Sequence, residues 1–179
     1  MLFVPLQRGF CGWENLAPNA GFEKPQRAGV LPDGWQSFSS KNAHIGIVAE
    51  PSRNGRQSVK LKTQQRGKSY QGLHTSLPVS PGEKYSFSLF ALNDRNDPLK
   101  GCARAQLVIE WKGPTENEIS RISSPNWNRN LSRMRWTHFS LEDQEVPEGA
   151  VKAVFGVHLI EDEPDGAGAF LIDDVEITR

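Results

Sequence analysis

Apolar residues in this 179-residue chain recur at every second position in one short segment after another. No stretch of eleven or more residues carries them at i, i+3, i+4 and i+7 without a Gly or Pro interruption. A period of two is the signature of a strand with one buried face, whereas a helix would show a period of 3.6. Strands are predicted over 35–39, 43–49, 57–63, 72–77, 84–92, 103–111, 135–141, 151–160 and 170–178, with a short one near 118–122. Turn chemistry separates them: Pro32-Asp33-Gly34, Arg53-Asn54-Gly55, Ser80-Pro81-Gly82, Pro147-Glu148-Gly149 and Pro164-Asp165-Gly166. Many short strands punctuated by turns imply an all-β fold, an antiparallel β-sandwich.

The alternation also assigns faces. Tyr85, Phe87, Leu89 and Ala91 form one set, opposed by Ser86, Ser88, Phe90 and Leu92. Ala105, Leu107, Ile109 and Trp111 oppose Arg104, Gln106, Val108 and Glu110, and Ala153, Phe155, Val157 and Leu159 oppose Val154, Gly156, His158 and Ile160. The first set of each strand is expected in the core, and the mixed second sets on one concave, half-wet sheet face. Trp111 and Trp136 fall on core-type positions; Trp127, in a polar stretch from Gly113 to Arg133, is the tryptophan expected to be exposed.

Bulk properties narrow the function. The length fits one domain. With 21 basic and 21 acidic residues the formal charge is zero, which speaks against nucleic acid and against electrostatic attachment to membranes. No apolar run approaches the ~18–20 residues that span a bilayer. The opening Met1-Leu2-Phe3-Val4-Pro5-Leu6 is too short and uncharged for a signal peptide. Cys11 and Cys102 match no metal spacing; a bridge would require Cys11 to fold back over a sheet edge, and two free thiols are the simpler reading.

Both ends of the chain carry acidic residues. Asn19-Ala20-Gly21-Phe22-Glu23 reads as a short strand ending in a carboxylate, and Ile172-Asp173-Asp174-Val175 belongs to the last strand, so the two ends are expected to meet and share a cation. Together with Pro32-Asp33-Gly34-Trp35, the segment Pro81 to Ser88 and Val146-Pro147-Glu148-Gly149-Ala150, these segments occur in an order that resembles carbohydrate-binding modules of the β-jelly-roll type, families 4, 9, 16 and 22 and their galactose-binding-like relatives. The resemblance covers about residues 15–179 and leaves 1–14 as a tail or linker.

That resemblance implies a jelly roll, a structural calcium held by Glu23 and Asp173 with backbone carbonyls near Gly21 and Arg56, and a mostly structural Trp35. It implies non-catalytic binding of a polysaccharide or oligosaccharide by a monomer, alongside an appended catalytic domain of a secreted, extracellular or cell-surface bacterial protein. Sugar rings present flat patches of C–H groups on which aromatics stack, while polar groups hold hydroxyls. Tyr70 is the first candidate platform, with Gln71 beside it; Phe90 and Trp127 could stack, and Arg104, Gln106, Glu110 and His158 could bond hydroxyls. Glu110 and Glu161 are the one carboxylate pair that could be imagined facing across a cleft as in a glycosidase, and no local motif supports it. No Gly-x-Ser-x-Gly, His-Glu-x-x-His or phosphate loop is present, and the chain is read as not an enzyme. The rival reading is a structural or protein-interaction module of a multidomain extracellular protein.

Overall fold

The computed structural model describes residues 14–25, 30–39, 44–63 and 68–179. Among them there is no helix; the elements are ten strands: β1 Gln36–Ser39, β2 His44–Val48, β3 Ser58–Thr63, β4 Ser69–Pro78, β5 Lys84–Asn93, β6 Arg104–Lys112, β7 Glu118–Ser123, β8 Thr137–Glu145, β9 Lys152–Glu161 and β10 Gly168–Thr178. They form two five-stranded sheets, ordered β1-β4-β9-β6-β7 and β2-β3-β10-β5-β8, and every named strand pair is antiparallel. This is the expected sandwich of jelly-roll type.

The core lies between the sheets and is made of the inward sets that alternation marks out. Phe155 of β9 meets Phe87 of β5 edge-on across the gap, ring centroids 5.6 Å apart, and Tyr85 packs against it at 5.9 Å. Leu73, Leu107, Ile109, Val157 and Leu159 from the first sheet face Val59, Leu61, Leu89, Phe170 and Ile172 from the second, all buried. A sandwich this filled owes its stability to apolar area removed from water, about 25 cal/mol per Å².

The chain ends do meet, although 14–25 is a turn segment rather than a strand. Pro18 and a positive φ of 47° at Asn19 interrupt extended pairing. The segment docks on β10 instead: Leu16 N–H donates to the Ile177 carbonyl at 2.7 Å, Val175 N–H to the Ala20 carbonyl at 2.9 Å, and the Asn15 amide bonds the backbone of Val175 and Ile177. Trp35 is the anchor beneath it. Its ring is buried against Phe22, and its indole N–H donates to the Pro18 carbonyl at 2.7 Å. Gly34, at φ 81°, makes that approach feasible, because a Cβ there would stand 2.5 Å from Pro18 Cβ.

Trp127 departs from expectation. It is 4 % exposed, its ring stacks on Phe139 at 4.3 Å, and its backbone pairs with Ala105. The stretch around it is polar in composition, yet that backbone pairing folds it against the sandwich edge and carries the indole inward. Cys102 is a free thiol, and Cys11 lies outside the described residues, as does nearly all of the expected tail.

Because Phe155 joins the two sheets with no polar atom to re-satisfy, Phe155→Ala should cost about 3–5 kcal/mol. Urea unfolding followed by tryptophan fluorescence checks this; a loss below ~1 kcal/mol would contradict the packing described.

Candidate functional site

The outward side of β9 is the floor of a cleft. Val154, Gly156 and His158 point away from the core because Ala153, Phe155, Val157 and Leu159 point into it. Register then places the neighbours. On β4, His74 stands opposite Gly156, Gly72 opposite His158, and Tyr70 opposite Ile160. On edge strand β1, Gln36 lies opposite His74 and Phe38 opposite Gly72. On β6, Glu110 pairs with Val154 and Lys112 with Lys152, and beyond it on β7 Arg121 pairs with Glu110. The resulting cavity has a volume of about 400 Å³, within the range of small-molecule sites.

Two zones divide it. At the β1–β4 side three rings converge on Phe38: Tyr70 at 5.2 Å, His158 at 5.1 Å and His74 at 5.9 Å between centroids. Gly72 makes this cluster feasible, since a Cβ there would sit 2.7 Å from the Phe38 ring and 2.6 Å from the Val157 carbonyl oxygen. At the β6–β7 side the wall is charged. Arg121 bridges Glu110 and Glu118, both at 2.7 Å, Lys112 sits 2.9 Å from Glu110, and Lys152 pairs with Glu116. Three cations and three carboxylates balance, so this end offers hydrogen-bonding groups without a net charge. Arg121 holds Glu118 below the usual carboxylate range, and Glu118 in turn raises Arg121.

Tyr70 links the zones. Its hydroxyl lies 2.5 Å from His158 Nδ1 and accepts a longer bond of 3.4 Å from Arg121. Arg121 can only donate, so a Tyr70 O–H donated to Nδ1 satisfies both contacts and leaves the His158 proton on Nε2. Burial pushes His158 down to about 3, with Arg121 and His74 adding to the effect, and burial also lowers His74. Both imidazoles are therefore neutral at ordinary pH. Tyr70 is 40 % exposed and offers its ring to solvent, whereas His158 is 3 % exposed. His158 thus holds Tyr70 in place from below.

Of the residues singled out from sequence, the structure brings Tyr70, Glu110 and His158 together here. Gln106 and Arg104 share the sheet face but not the cavity: the Gln106 amide donates to Ser123, and Arg104 is paired with Asp162 at 2.5 Å. Gln71 is fully buried on the core side, one position out of phase with Tyr70. Phe90 is on the wrong sheet: β5 belongs with β10 and β8, so its ring lies on the opposite outer face, beside His138 and beneath the Arg53 guanidinium. The expectation of a single face for all the outward sets is corrected by this sheet order. Trp127, buried on Phe139, is likewise not in the cleft. Missed were Gln36, Phe38, His74, Lys112, Glu116, Lys152 and Val154. The outward alternation of Gln36 and Phe38 was available in sequence, but the position of β1 beside β4 was not.

The carboxylates at the chain ends lie on another part of the molecule. Asp173 is fully buried. Burial pushes it up to about 6, opposed by N–H groups of Arg53, Asp174 and Asn54. Glu23 faces the loop before β3 and takes the Arg56 and Gln57 N–H groups at 2.7 and 2.9 Å.

No protein-family profile matches the chain, and no curated protein matches it by sequence. Solved structures do. TmCBM61, solved with β-1,4-galactotriose, aligns over 93 % of this chain and 99 % of its own, at TM-score 0.61 and 17 % identity. The CBM22-1 xylan-binding domain of Paenibacillus barcinonensis Xyn10C aligns over 89 % and 90 %, at TM-score 0.60 and 15 % identity. The enzymatically active domain of bacteriophage CBA120 tailspike protein 4 contains a similar unit, which covers 92 % of this chain and 21 % of that one, at TM-score 0.65 and 15 % identity. The chain therefore has the β-sandwich fold found in carbohydrate-binding modules.

His158 carries a pH signature. Its folded value of about 3 lies below the ordinary 6.5, so the folded state resists a proton that the unfolded state accepts. Stability is complete above pH 6.5 and is lost as pH falls toward 3. Between pH 7.5 and 5 the native chain should lose about 2 kcal/mol more than His158→Gln does. Urea titrations at the two pH values measure the difference, and equal losses would contradict a buried, neutral His158.

Proposed function

We propose that the chain is a non-catalytic carbohydrate-binding module that docks a polysaccharide or oligosaccharide in the β1-β4-β9-β6 cleft. The observation that carries this reading is the pairing, in one cavity, of an aromatic cluster with a hydrogen-bonding wall. Phe38 and Tyr70 supply apolar ring surface for sugar C–H faces; Glu110, Lys112, Glu116 and Lys152 supply donors and acceptors for hydroxyls. The fold likeness to modules solved with galactotriose or described as xylan-binding supports the ligand class. Fold alone would not, since one architecture hosts many functions.

The disposition of the carboxylates favours binding over hydrolysis. Glu110 is engaged by Arg121 and Lys112, and Glu161 faces the core from the far end of β9, on the other side of the sheet. The two acids do not face one another across the cleft, as the pair of a glycosidase would. In the parent protein such a module would hold an attached enzyme against its substrate outside the cell; similar units occur within longer chains such as the tailspike protein and the MgGH51 α-L-arabinofuranosidase.

The test is titration against a polysaccharide panel that includes xylan and β-1,4-galactan. Phe38→Ala and Tyr70→Ala should each weaken binding about tenfold, about 1.4 kcal/mol, in line with an aromatic contact. Phe90→Ala, on the opposite face, should leave it unchanged. A folded protein that binds no glycan would overturn the proposal and favour a protein-interaction module.

A further inference from the structure

Three carboxylates gather where the chain ends meet: Glu23 before the first strand, and Asp173 and Asp174 in β10. What surrounds them is the loop 52–57, and that loop turns N–H groups toward them. Asp173 Oδ2 accepts from Arg53 N–H at 2.7 Å and Asn54 N–H at 3.4 Å, and its Oδ1 from Asp174 N–H at 2.8 Å. Glu23 Oε1 accepts from Arg56 and Gln57. Asp174 Oδ2 takes the Asn54 amide at 2.5 Å together with the Arg53 guanidinium. The loop is shaped for this role: Gly55 at φ 66° would place a Cβ 2.3 Å from Glu23 Oε1.

Calcium takes six to eight oxygen ligands. This donor set is the reverse of that requirement. Asp173 already accepts three N–H bonds, Glu23 and Asp174 each face two donors, and a full positive charge stands on Asp174. Among the described residues, no three acidic, His or Cys side chains converge as metal ligands. Arg53 is held on its other side as well, its guanidinium carbon 3.5 Å above the centre of the Phe90 ring, a cation–π contact that fixes its orientation. Asp174 meets it because a bulge in β10, with Asp174 at φ 48°, shifts the register against β5 between Asp173 and Glu176.

We propose that Arg53 takes the place expected for calcium: its guanidinium and the N–H groups of the 53–57 loop clasp Glu23, Asp173 and Asp174, and join the first segment, the loop before β3 and the last strand without a metal. The inference is independent of what the cleft binds.

Thermal unfolding of the native protein in EDTA and in millimolar calcium, with calcium titration by calorimetry, is the first test. The expected result is the same midpoint in both and no binding heat. A midpoint lower in EDTA by about 5 °C or more and restored by calcium, or stoichiometric calcium binding, would overturn the proposal. The second test separates the clasp from simple loop packing. Arg53→Met and Asp174→Asn should each lower the midpoint by roughly 3 °C, and the double variant should fall no further than the worse single. Asn is chosen because it tolerates the positive φ of Asp174. Fully additive losses would mean that the two side chains are not coupled, and would overturn the assignment of Arg53.

Discussion

Strand β9 occupies the middle of the first sheet, bonded on both flanks, and its pleat sends alternate residues to opposite sides. One side closes the sandwich through Ala153, Phe155, Val157 and Leu159. The other is the cleft floor of Val154, Gly156 and His158. Core and cleft are therefore set by the same register. A slip of one residue would put His158 into the core and expose Phe155, so the burial that stabilises the fold also fixes the site.

Small residues on that floor matter as much as large ones. Gly156 and Gly72 leave room for His74, His158 and Phe38 to lie close over the backbone. Phe38 comes from a four-residue edge strand and becomes the centre of the ring cluster only because β4 offers it a glycine to rest on. Tyr70 stays upright between His158 and Arg121, which ties the aromatic zone to the charged one.

The far side of the molecule uses different physics. There the second sheet places β10 between β3 and β5, and the turn segment at the start of the chain lies along it. Its buried carboxylate would be costly alone. Backbone N–H groups from the loop before β3 satisfy it, and Arg53 balances the charge next to it. The turn chemistry of Arg53-Asn54-Gly55, readable as punctuation between strands, here serves as the loop's working surface.

Strand positions and the inward sets of β5, β6 and β9 were legible in the sequence, because period-two alternation and turn residues are local properties; the structural role of Trp35 followed from the family resemblance, and the meeting of the chain ends from the acidic residues near both of them. Tyr70 was legible as a candidate aromatic just ahead of the strand predicted over 72–77, though neither its place inside β4 nor its bond to His158 was. Which outward faces join was not legible. Phe90 and His158 have the same signature in sequence, yet β5 and β9 fall in different sheets, and only that order separates them. Phe38 and His74 meet for the same reason, through pairing between β1 and β4 across more than thirty intervening residues. Trp127 sits in a polar stretch and is buried by backbone pairing with Ala105 that no local pattern signals. Alternation decides which side of a strand is dry; the order of strands across a sheet, set by long-range hydrogen bonding and packing, decides which residues become neighbours.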